Sequence, residues 1–202
     1  MYILYHFPYS QHARRVVSLL MEARLDYELR HVAMDRGEHL SAQYLAINPN
    51  HQVPTLVDGD IKIHESNAIL RYLCTKHELA DWYPADPGAR ARVEQWLDWN
   101  QCRLSPAVVD IVLNSVFLGA NGDPQAIERG QTKLRELMPI LEGGLEGRYF
   151  IAGERPTIAD LSLASSIFQL SLAKIVPAGK STESWFRRMS EIDGFRRSLP
   201  QG

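Results

Sequence analysis

Two serines in the first third of the chain stand where a small anion could bind. Ser10 directly precedes a stretch with the apolar spacing of a helix, and Ser66 follows an acid, Glu65, where a second such stretch begins. The free N–H groups and the positive dipole end of a helix favour anions. Each serine could cap its helix or donate a hydrogen bond to a ligand, and the spacing leaves both interpretations open.

The pair Val53–Pro54 adds a backbone site close to Ser66 in sequence. Proline has no N–H and is confined in sheets to edges, strand starts or bulges, so the strand that begins at Pro54 should border open space. A cis bond before this proline would turn the N–H and C=O of Val53 outward, where a short extended peptide could pair with both. Together with Glu65, which could hold an ammonium group, these residues predict a site for a small, charged peptide.

The strands and helices that must position these residues are predicted to follow one another closely in the first half of the chain. Periodicity predicts a strand, a helix and a strand, then a hairpin with Asp58-Gly59 in its turn, then the helix that begins near Ser66. The ranges before that helix are Tyr2 to His6, Gln11 to Ala23, Tyr27 to Val32, Pro54 to Val57, and Ile61 to His64. This βαβ then ββα order resembles that of a thioredoxin-like α/β domain with a right-handed crossover.

The second half is predicted to be all-helical. Its expected helices run from Ala89 to about Leu118, Pro124 to about Leu145, Ile158 to about Lys174, and Thr182 to Ser190. Thr157 and Asp160 have the spacing of a capping box, with Asp in place of the usual Glu or Gln, at the start of an apolar helix. We therefore predict a thioredoxin-like domain over 1–78, a linker over 79–88 and an all-α domain over 89–202.

The motif N-P-x-x-x-V-P-x-L from Asn48 and the motif E-S-x-A-I-x-x-Y-L from Glu65 together resemble the glutathione-binding core of the cytosolic glutathione transferases. The resemblance extends to Pro8-Tyr9-Ser10 and to Thr157-Ile158-Ala159-Asp160, and it is closest to theta-like and related bacterial serine types. It implies that glutathione is the co-substrate and that the chain is a homodimer. The residues implied to bind glutathione are His39, Gln52, Val53, Pro54, Glu65 and Ser66.

Ser10 is the candidate for chemistry, because it stands where thioredoxin-like proteins commonly carry the first cysteine of a Cys-x-x-Cys pair. Without that cysteine the protein cannot form its own mixed disulfide there, so glutathione must bring the sulfur. A serine hydroxyl beside a helix N-terminus could lower the thiol pKa by ~2 units, about 2.7 kcal/mol. Tyr5 and Tyr9 remain rival hydroxyl donors, since other members of the family use tyrosine.

The remaining implied contacts concern the glycine end of glutathione and the acceptor substrate. His39 matches a theta-like position for the glycine carboxylate, and Gln52 replaces a lysine found in many relatives, which removes a full charge. The acceptor site is expected where the all-α domain faces Ser10, with Trp99 and Arg103 as candidate residues. The adjacent pair Arg14-Arg15 is interpreted as surface charge of a helix, able to add positive potential near the sulfur.

Composition limits the other classes of function. A formal net charge of -2 gives no electrostatic case for nucleic acid or a membrane surface as partner. No signal segment or spanning apolar stretch is apparent, which predicts a cytoplasmic protein. The chain has two cysteines, Cys74 and Cys102, too few for a disulfide framework. All seven histidines precede the linker, but none is spaced as a metal ligand pair, so no metal is expected.

The resulting hypothesis is a glutathione transferase that activates the glutathione thiolate for attack on small apolar electrophiles, with a role in detoxification. Dehalogenation or isomerisation would reuse the same thiolate. A hypothesis of a different class is a binding or regulatory module that keeps the fold with little turnover, because fold does not guarantee activity.

Overall fold

The computed structural model describes residues 1–200 and divides the chain into two compact units. The first unit comprises Met1–Ala80 and the C-terminal stretch that begins at Ile192, and the second comprises Asp81–Glu191. This division differs from the predicted domains of 1–78 and 89–202. The C-terminal stretch packs on the first unit. Of the predicted linker, residues 79 and 80 belong to the first unit and residues 81–88 to the second, where Ile158 N donates to Trp82 O at 3.0 Å.

A four-stranded mixed sheet forms the centre of the first unit. Its strands are β1 (Tyr2–His6), β2 (Tyr27–His31), β3 (Thr55–Asp58) and β4 (Ile61–His64), in the order β2-β1-β3-β4. β1 and β2 are parallel, whereas β3 is antiparallel to both β1 and β4. The predicted hairpin is confirmed, with Gly59 at φ 59° in its turn, a left-handed conformation that favours glycine.

The part of the first unit before Asp81 contains three α-helices: the first follows β1, the second is a short one between β2 and β3, and the third follows β4. They are α1 (Gln11–Glu22), α2 (Ala42–Leu45) and α3 (Ser66–Lys76). Leu4 and Leu56 from the sheet are fully buried, as are Leu19 and Leu20 of α1 and Leu73 of α3. Burial of these apolar side chains is the main stabilising contribution to the unit.

The C-terminal helix α9 (Asp193–Arg197) packs directly on α1. An ideal Cβ built on Gly194 would lie 2.6 Å from Ser18 O, so only glycine permits this close approach. Ser18 Oγ and Ser198 Oγ lie 2.8 Å apart, and Gly194 N donates to the Glu22 carboxylate. These contacts explain why the C-terminal stretch belongs to the first unit.

The second unit is helical. Its helices are α4 (Pro87–Trp99), α5 (Ser105–Val112), α6 (Pro124–Leu145), α7 (Ile158–Leu172) and α8 (Lys180–Glu191). The single helix predicted from Ala89 to Leu118 instead contains π-helical segments at Asn100–Leu104 and Leu113–Phe117. The first lies just before Pro106, which has no N–H for an i→i−4 bond and so favours a local change of helical hydrogen bonding. No helix in residues 1–200 combines the length and apolar character needed to cross a membrane.

The capping box predicted at the start of α7 is confirmed. Asp160 is fully buried, and its Oδ2 accepts from Thr157 N at 2.9 Å and from Thr157 Oγ1 at 3.0 Å. Its Oδ1 accepts from Ile151 N at 2.9 Å and from Trp185 Nε1 at 2.8 Å. One carboxylate therefore joins the start of α7, the preceding loop and α8.

Candidate active site

The candidate site residues are brought together at one end of the sheet. The register places Tyr5 opposite Thr55, and Thr55 opposite His64, in one row across β1, β3 and β4. The C-terminal ends of β1, β2 and β4 and the N-terminal end of β3 therefore share one edge. Ser10 follows β1, His39 follows β2, Val53 precedes β3 and Ser66 follows β4.

Ser10 caps α1. Its backbone is extended, with φ −81° and ψ 117°, and its Oγ accepts a hydrogen bond from Ala13 N at 3.2 Å. This contact uses only an oxygen lone pair, because a hydroxyl carries one donor and two acceptor positions. The capping interpretation is therefore confirmed, and it leaves the hydroxyl proton available for a ligand.

Ser66 does not cap α3. The N-cap residue is Glu65, at φ 67° and ψ 108°, and no side chain caps the first turn. Ser66 is buried at 4% exposure, and its hydroxyl has no hydrogen-bond partner among the described residues. The left-handed conformation of Glu65 is uncommon for a residue other than glycine, and such strained backbone clusters at functional sites. An uncapped helix N-terminus with a buried hydroxyl is suited to bind an anion.

The Glu65 carboxylate is open to a cationic group. Its side chain is 61% exposed, and its charged neighbour is His64, whose Nδ1 lies 3.8 Å from Glu65 Oε1. A carboxylate in this position accepts an ammonium group without first leaving a strong partner. The acid and Ser66 thus offer complementary contacts to a group that carries both charges.

Val53 supplies a short backbone edge. The Val53–Pro54 peptide bond is cis, and the backbone of Val53 has no hydrogen-bond partner within residues 1–200. The preceding carbonyl, of Gln52, is held from inside by Tyr44 and Asn48. Val53 is only 6% exposed, and buried backbone N–H groups normally have an acceptor. The unpaired N–H of Val53 is therefore a candidate donor to a ligand.

His39 and Gln52 differ in how exposed their side chains are. His39 is half-buried in a 3₁₀ turn, Glu38–Leu40, and its Nδ1 is buried with no hydrogen-bond partner. The Gln52 side chain is exposed. A buried ring nitrogen without a partner could donate to or accept from a ligand, depending on its protonation.

Comparison with known proteins identifies the family. The N-terminal domain model of glutathione S-transferases matches residues 1–75, and the C-terminal domain model matches residues 124–189. Glutathione S-transferase F10 of Arabidopsis thaliana is 31% identical over 192 residues, which cover 91% of this chain and 89% of that protein. This chain belongs to the glutathione S-transferase family. The predicted family is confirmed.

Solved structures of glutathione transferases agree over almost the whole chain. Human glutathione S-transferase T1-1, in its apo form, has a TM-score of 0.90 at 29% identity, with 98% of this chain and 87% of that chain covered. Human glutathione transferase theta-2, in complex with glutathione and an unknown ligand, has a TM-score of 0.87 at 29% identity, covering 98% and 86%. The predicted fold class is confirmed, and so is the predicted similarity to theta-class glutathione transferases.

The two tyrosines proposed as rivals of Ser10 have different surroundings. The hydroxyl of Tyr5 accepts from Arg30 Nη1 at 3.1 Å, and its ring makes an edge contact with Tyr44 at 5.9 Å between centroids. Tyr9 is 39% exposed in the turn after β1 and packs against Phe7 at 5.7 Å. Tyr5 belongs to β1 and Tyr9 directly precedes the N-cap, whereas the Ser10 side chain bonds to the first turn of α1.

The interpretation of Arg14 and Arg15 as surface charges is wrong. Arg14 is 2% exposed and Arg15 fully buried, and burial lowers the pKa of each to about 9, with the neighbouring Arg15 charge also acting on Arg14. Arg15 Nη1 donates to Asn67 Oδ1 at 3.3 Å, which joins α1 to the first turn of α3. Both guanidinium groups stay cationic at neutral pH.

Two histidines of the first unit, His12 and His6, are neutral at pH 7. Burial, followed by the charge of Arg15, lowers the pKa of His12 to about 3. Burial, followed by His31, lowers the pKa of His6 to about 4. Neither ring therefore supplies positive charge to a thiolate. Within the described part of the chain, no three His, Cys, Asp or Glu side chains are grouped to hold a metal ion.

Trp99 and Arg103, the candidate acceptor-site residues, lie in the second unit. Trp99 is half-buried at the end of α4, and its ring makes an edge contact with Trp96 at 5.2 Å between centroids. Arg103 is exposed in the π-helical segment that follows. Because π-helical turns occur frequently at functional sites, this segment is a reasonable place for substrate contacts, and the two assignments stay predictions.

Proposed function

We propose that this protein is a glutathione transferase, which binds glutathione at the common end of β1, β3 and β4 and activates its thiol for attack on small apolar electrophiles. The observation that carries the proposal is the pair of serine hydroxyls, Ser10 and Ser66, each at the N-terminus of a helix with its proton uncommitted. Membership of the family and the relative solved with glutathione support it.

In this proposal the two charged ends of glutathione bind at separate places. Ser66 and the free N–H groups of α3 receive the γ-glutamyl carboxylate, and the Glu65 carboxylate pairs with the neighbouring ammonium group. His39 and Gln52 receive the glycine carboxylate. The peptide between these ends pairs with the Val53 backbone ahead of Pro54.

Ser10 is proposed to activate the thiol. Its hydroxyl donates a hydrogen bond to the sulfur, beside the positive end of α1, and so stabilises the thiolate relative to the thiol. The thiolate then attacks the electrophilic carbon, a carbon–sulfur bond forms, and the leaving group departs with the bonding electron pair. The thiol proton goes to solvent, since His6 and His12 are poor proton acceptors in their buried positions.

Two assays in parallel test the proposal. We expect the protein to be retained on immobilised glutathione, to elute with free glutathione, and to conjugate glutathione to chlorodinitrobenzene. Retention without conjugation of this or other electrophiles would favour the binding-module hypothesis. Thiol–disulfide activity towards hydroxyethyl disulfide in place of conjugation would contradict the role of Ser10. A homodimer, measured by sedimentation, and a cytoplasmic location, measured by fractionation, belong to the same proposal.

The Ser66→Ala variant is expected to bind glutathione about tenfold more weakly, because a hydrogen bond to a charged group contributes about 1.5 kcal/mol or more. The value of kcat at saturating glutathione should change little, since the contact is the same in the ground and transition states. Titration calorimetry gives the Kd. Ser171→Ala, which removes an exposed hydroxyl bonded to Phe168 O, is the matched control and should bind normally. A large fall in kcat at unchanged Kd would contradict the assigned role.

A further inference from the structure

We propose that Tyr44 and Asn48 are positioning residues, which direct the Val53 N–H towards the peptide backbone of glutathione. This inference rests on the proposed function and adds two residues to the site. Neither residue is placed against the ligand. Both act through the carbonyl of Gln52, which precedes Val53.

The Gln52 carbonyl is fixed by two donors. Tyr44 Oη donates to Gln52 O at 2.7 Å, and Asn48 Nδ2 donates to the same oxygen at 2.9 Å. A carbonyl oxygen has two lone pairs, so these bonds fill its acceptor capacity. The carbonyl is therefore held towards the buried side of the loop, where Tyr44 is 3% exposed and Asn48 1% exposed.

The orientation of this carbonyl determines the direction of the Val53 N–H. The peptide unit between Gln52 and Val53 is trans and planar, and in such a unit the C=O and N–H vectors point in opposite directions. With the carbonyl held inward, the N–H must point away from Tyr44 and Asn48. This is the N–H that has no partner among the described residues.

The donors themselves have little freedom. Asn48 Oδ1 accepts from Asn50 N at 3.0 Å, which requires that Nδ2 face Gln52 and Thr55, and Nδ2 donates to Thr55 Oγ1 at 3.0 Å. Tyr44 gives its one proton to Gln52, so the Thr55 hydroxyl, 3.3 Å away, donates to Tyr44 Oη. Asn48 thus donates to Thr55, Thr55 donates to Tyr44, and Tyr44 donates to the Gln52 carbonyl. Each donor proton of these three side chains has an acceptor.

Packing holds the tyrosine ring as well. Tyr44 lies in a small apolar cluster with Val32 and Val53, and Tyr5 packs against its ring. The ring of Tyr44→Phe should keep these contacts, so this variant removes the hydroxyl with little other change. Asn48→Ala removes the second donor and leaves Thr55 and Asn50 without their partner, and it is the harsher change.

The test measures glutathione binding and turnover in wild-type protein, Tyr44→Phe, Asn48→Ala and Tyr72→Phe. Tyr72 Oη donates to Asp58 Oδ2 at 2.5 Å at the far end of β3, so Tyr72→Phe is a matched loss of one tyrosine hydroxyl. We expect Kd and KM for glutathione to rise roughly three- to tenfold in Tyr44→Phe and at least as much in Asn48→Ala. The kcat at saturation, its pH profile and the Tyr72→Phe control should stay near wild-type values.

Equal glutathione affinity in wild type, Tyr44→Phe and Asn48→Ala would overturn the inference while leaving the proposed function intact. An equal loss in the Tyr72→Phe control would overturn it too, because it would indicate general loosening of the unit. Thermal unfolding of Tyr44→Phe at a temperature close to that of wild type supports the assignment when affinity falls. Absence of glutathione binding in wild-type protein would instead refute the proposed function itself.

Discussion

Replacing Ser10 with alanine is expected to raise the pKa of enzyme-bound glutathione by about 2 units, equivalent to about 2.7 kcal/mol. The sign follows from the hydroxyl donor: it stabilises the thiolate, so its loss favours the protonated thiol. At pH 6 the ionised fraction should fall by roughly two powers of ten. Intrinsic nucleophilicity should rise about tenfold, since the Brønsted slope is about 0.5, which leaves kcat about tenfold lower. The difference in kcat should vanish at a pH between the two thiol pKa values, and the variant should be the faster enzyme at higher pH, where both thiols are ionised and only the nucleophilicity differs.

The pH profile of kcat and ultraviolet titration of the bound thiolate check this expectation. Ser10 also caps α1 through Ala13 N, so the alanine variant should lose about 1 kcal/mol of unfolding free energy. Ser10→Thr retains both a hydroxyl donor and a cap and should keep the wild-type profile. A thiol pKa that is unchanged in Ser10→Ala would transfer the activating role to Tyr9 or Tyr5.

Asp160→Ala is expected to lower the unfolding free energy of the second unit by about 3 kcal/mol or more, because each buried donor left without an acceptor costs about 1–3 kcal/mol. The substitution removes the acceptor for Thr157 N, Ile151 N and Trp185 Nε1 at once. Burial acts to raise the pKa of Asp160, and the four hydrogen bonds oppose that shift. The carboxylate is therefore a structural group whose partners depend on it.

Denaturant unfolding followed by tryptophan fluorescence measures this loss, with Trp185 reporting directly on the site. Asp160→Asn should be milder, since its amide keeps one acceptor oxygen for the backbone donors. Asp81→Ala is the control within the same unit. It breaks an exposed ion pair with Arg155, in which the side chains are 78% and 75% exposed, and should not change stability measurably. Unfolding of Asp160→Ala at the wild-type midpoint would contradict the structural role.

Much of the fold follows from local sequence pattern. The hairpin depends on the Asp58-Gly59 turn, and the α6 range Pro124–Leu145 matches its predicted extent because Asp123, Pro124 and the apolar period mark it locally. The capping box at Thr157 and Asp160 lies within four residues of chain. Features of this kind need no knowledge of the rest of the molecule.

The boundary between the units did not follow from local pattern. A helical C-terminus after an all-helical region has the same periodicity whichever unit it packs on. The stretch from Ile192 joins the first unit because Gly194 allows close contact with α1, and a glycine in the sequence does not reveal its distant neighbour.

The sequence by itself determined the residues available for chemistry: two serines at helix starts, Glu65, and the Val53–Pro54 edge, with their order along the chain. Tertiary structure decided how each is used. Ser10 is a cap and Ser66 is not, Arg14 and Arg15 are buried, and the Gln52 carbonyl is held by Tyr44 and Asn48. The physical reason is that burial and hydrogen-bond partnership depend on which groups meet in space, whereas periodicity and residue type report only on neighbours along the chain.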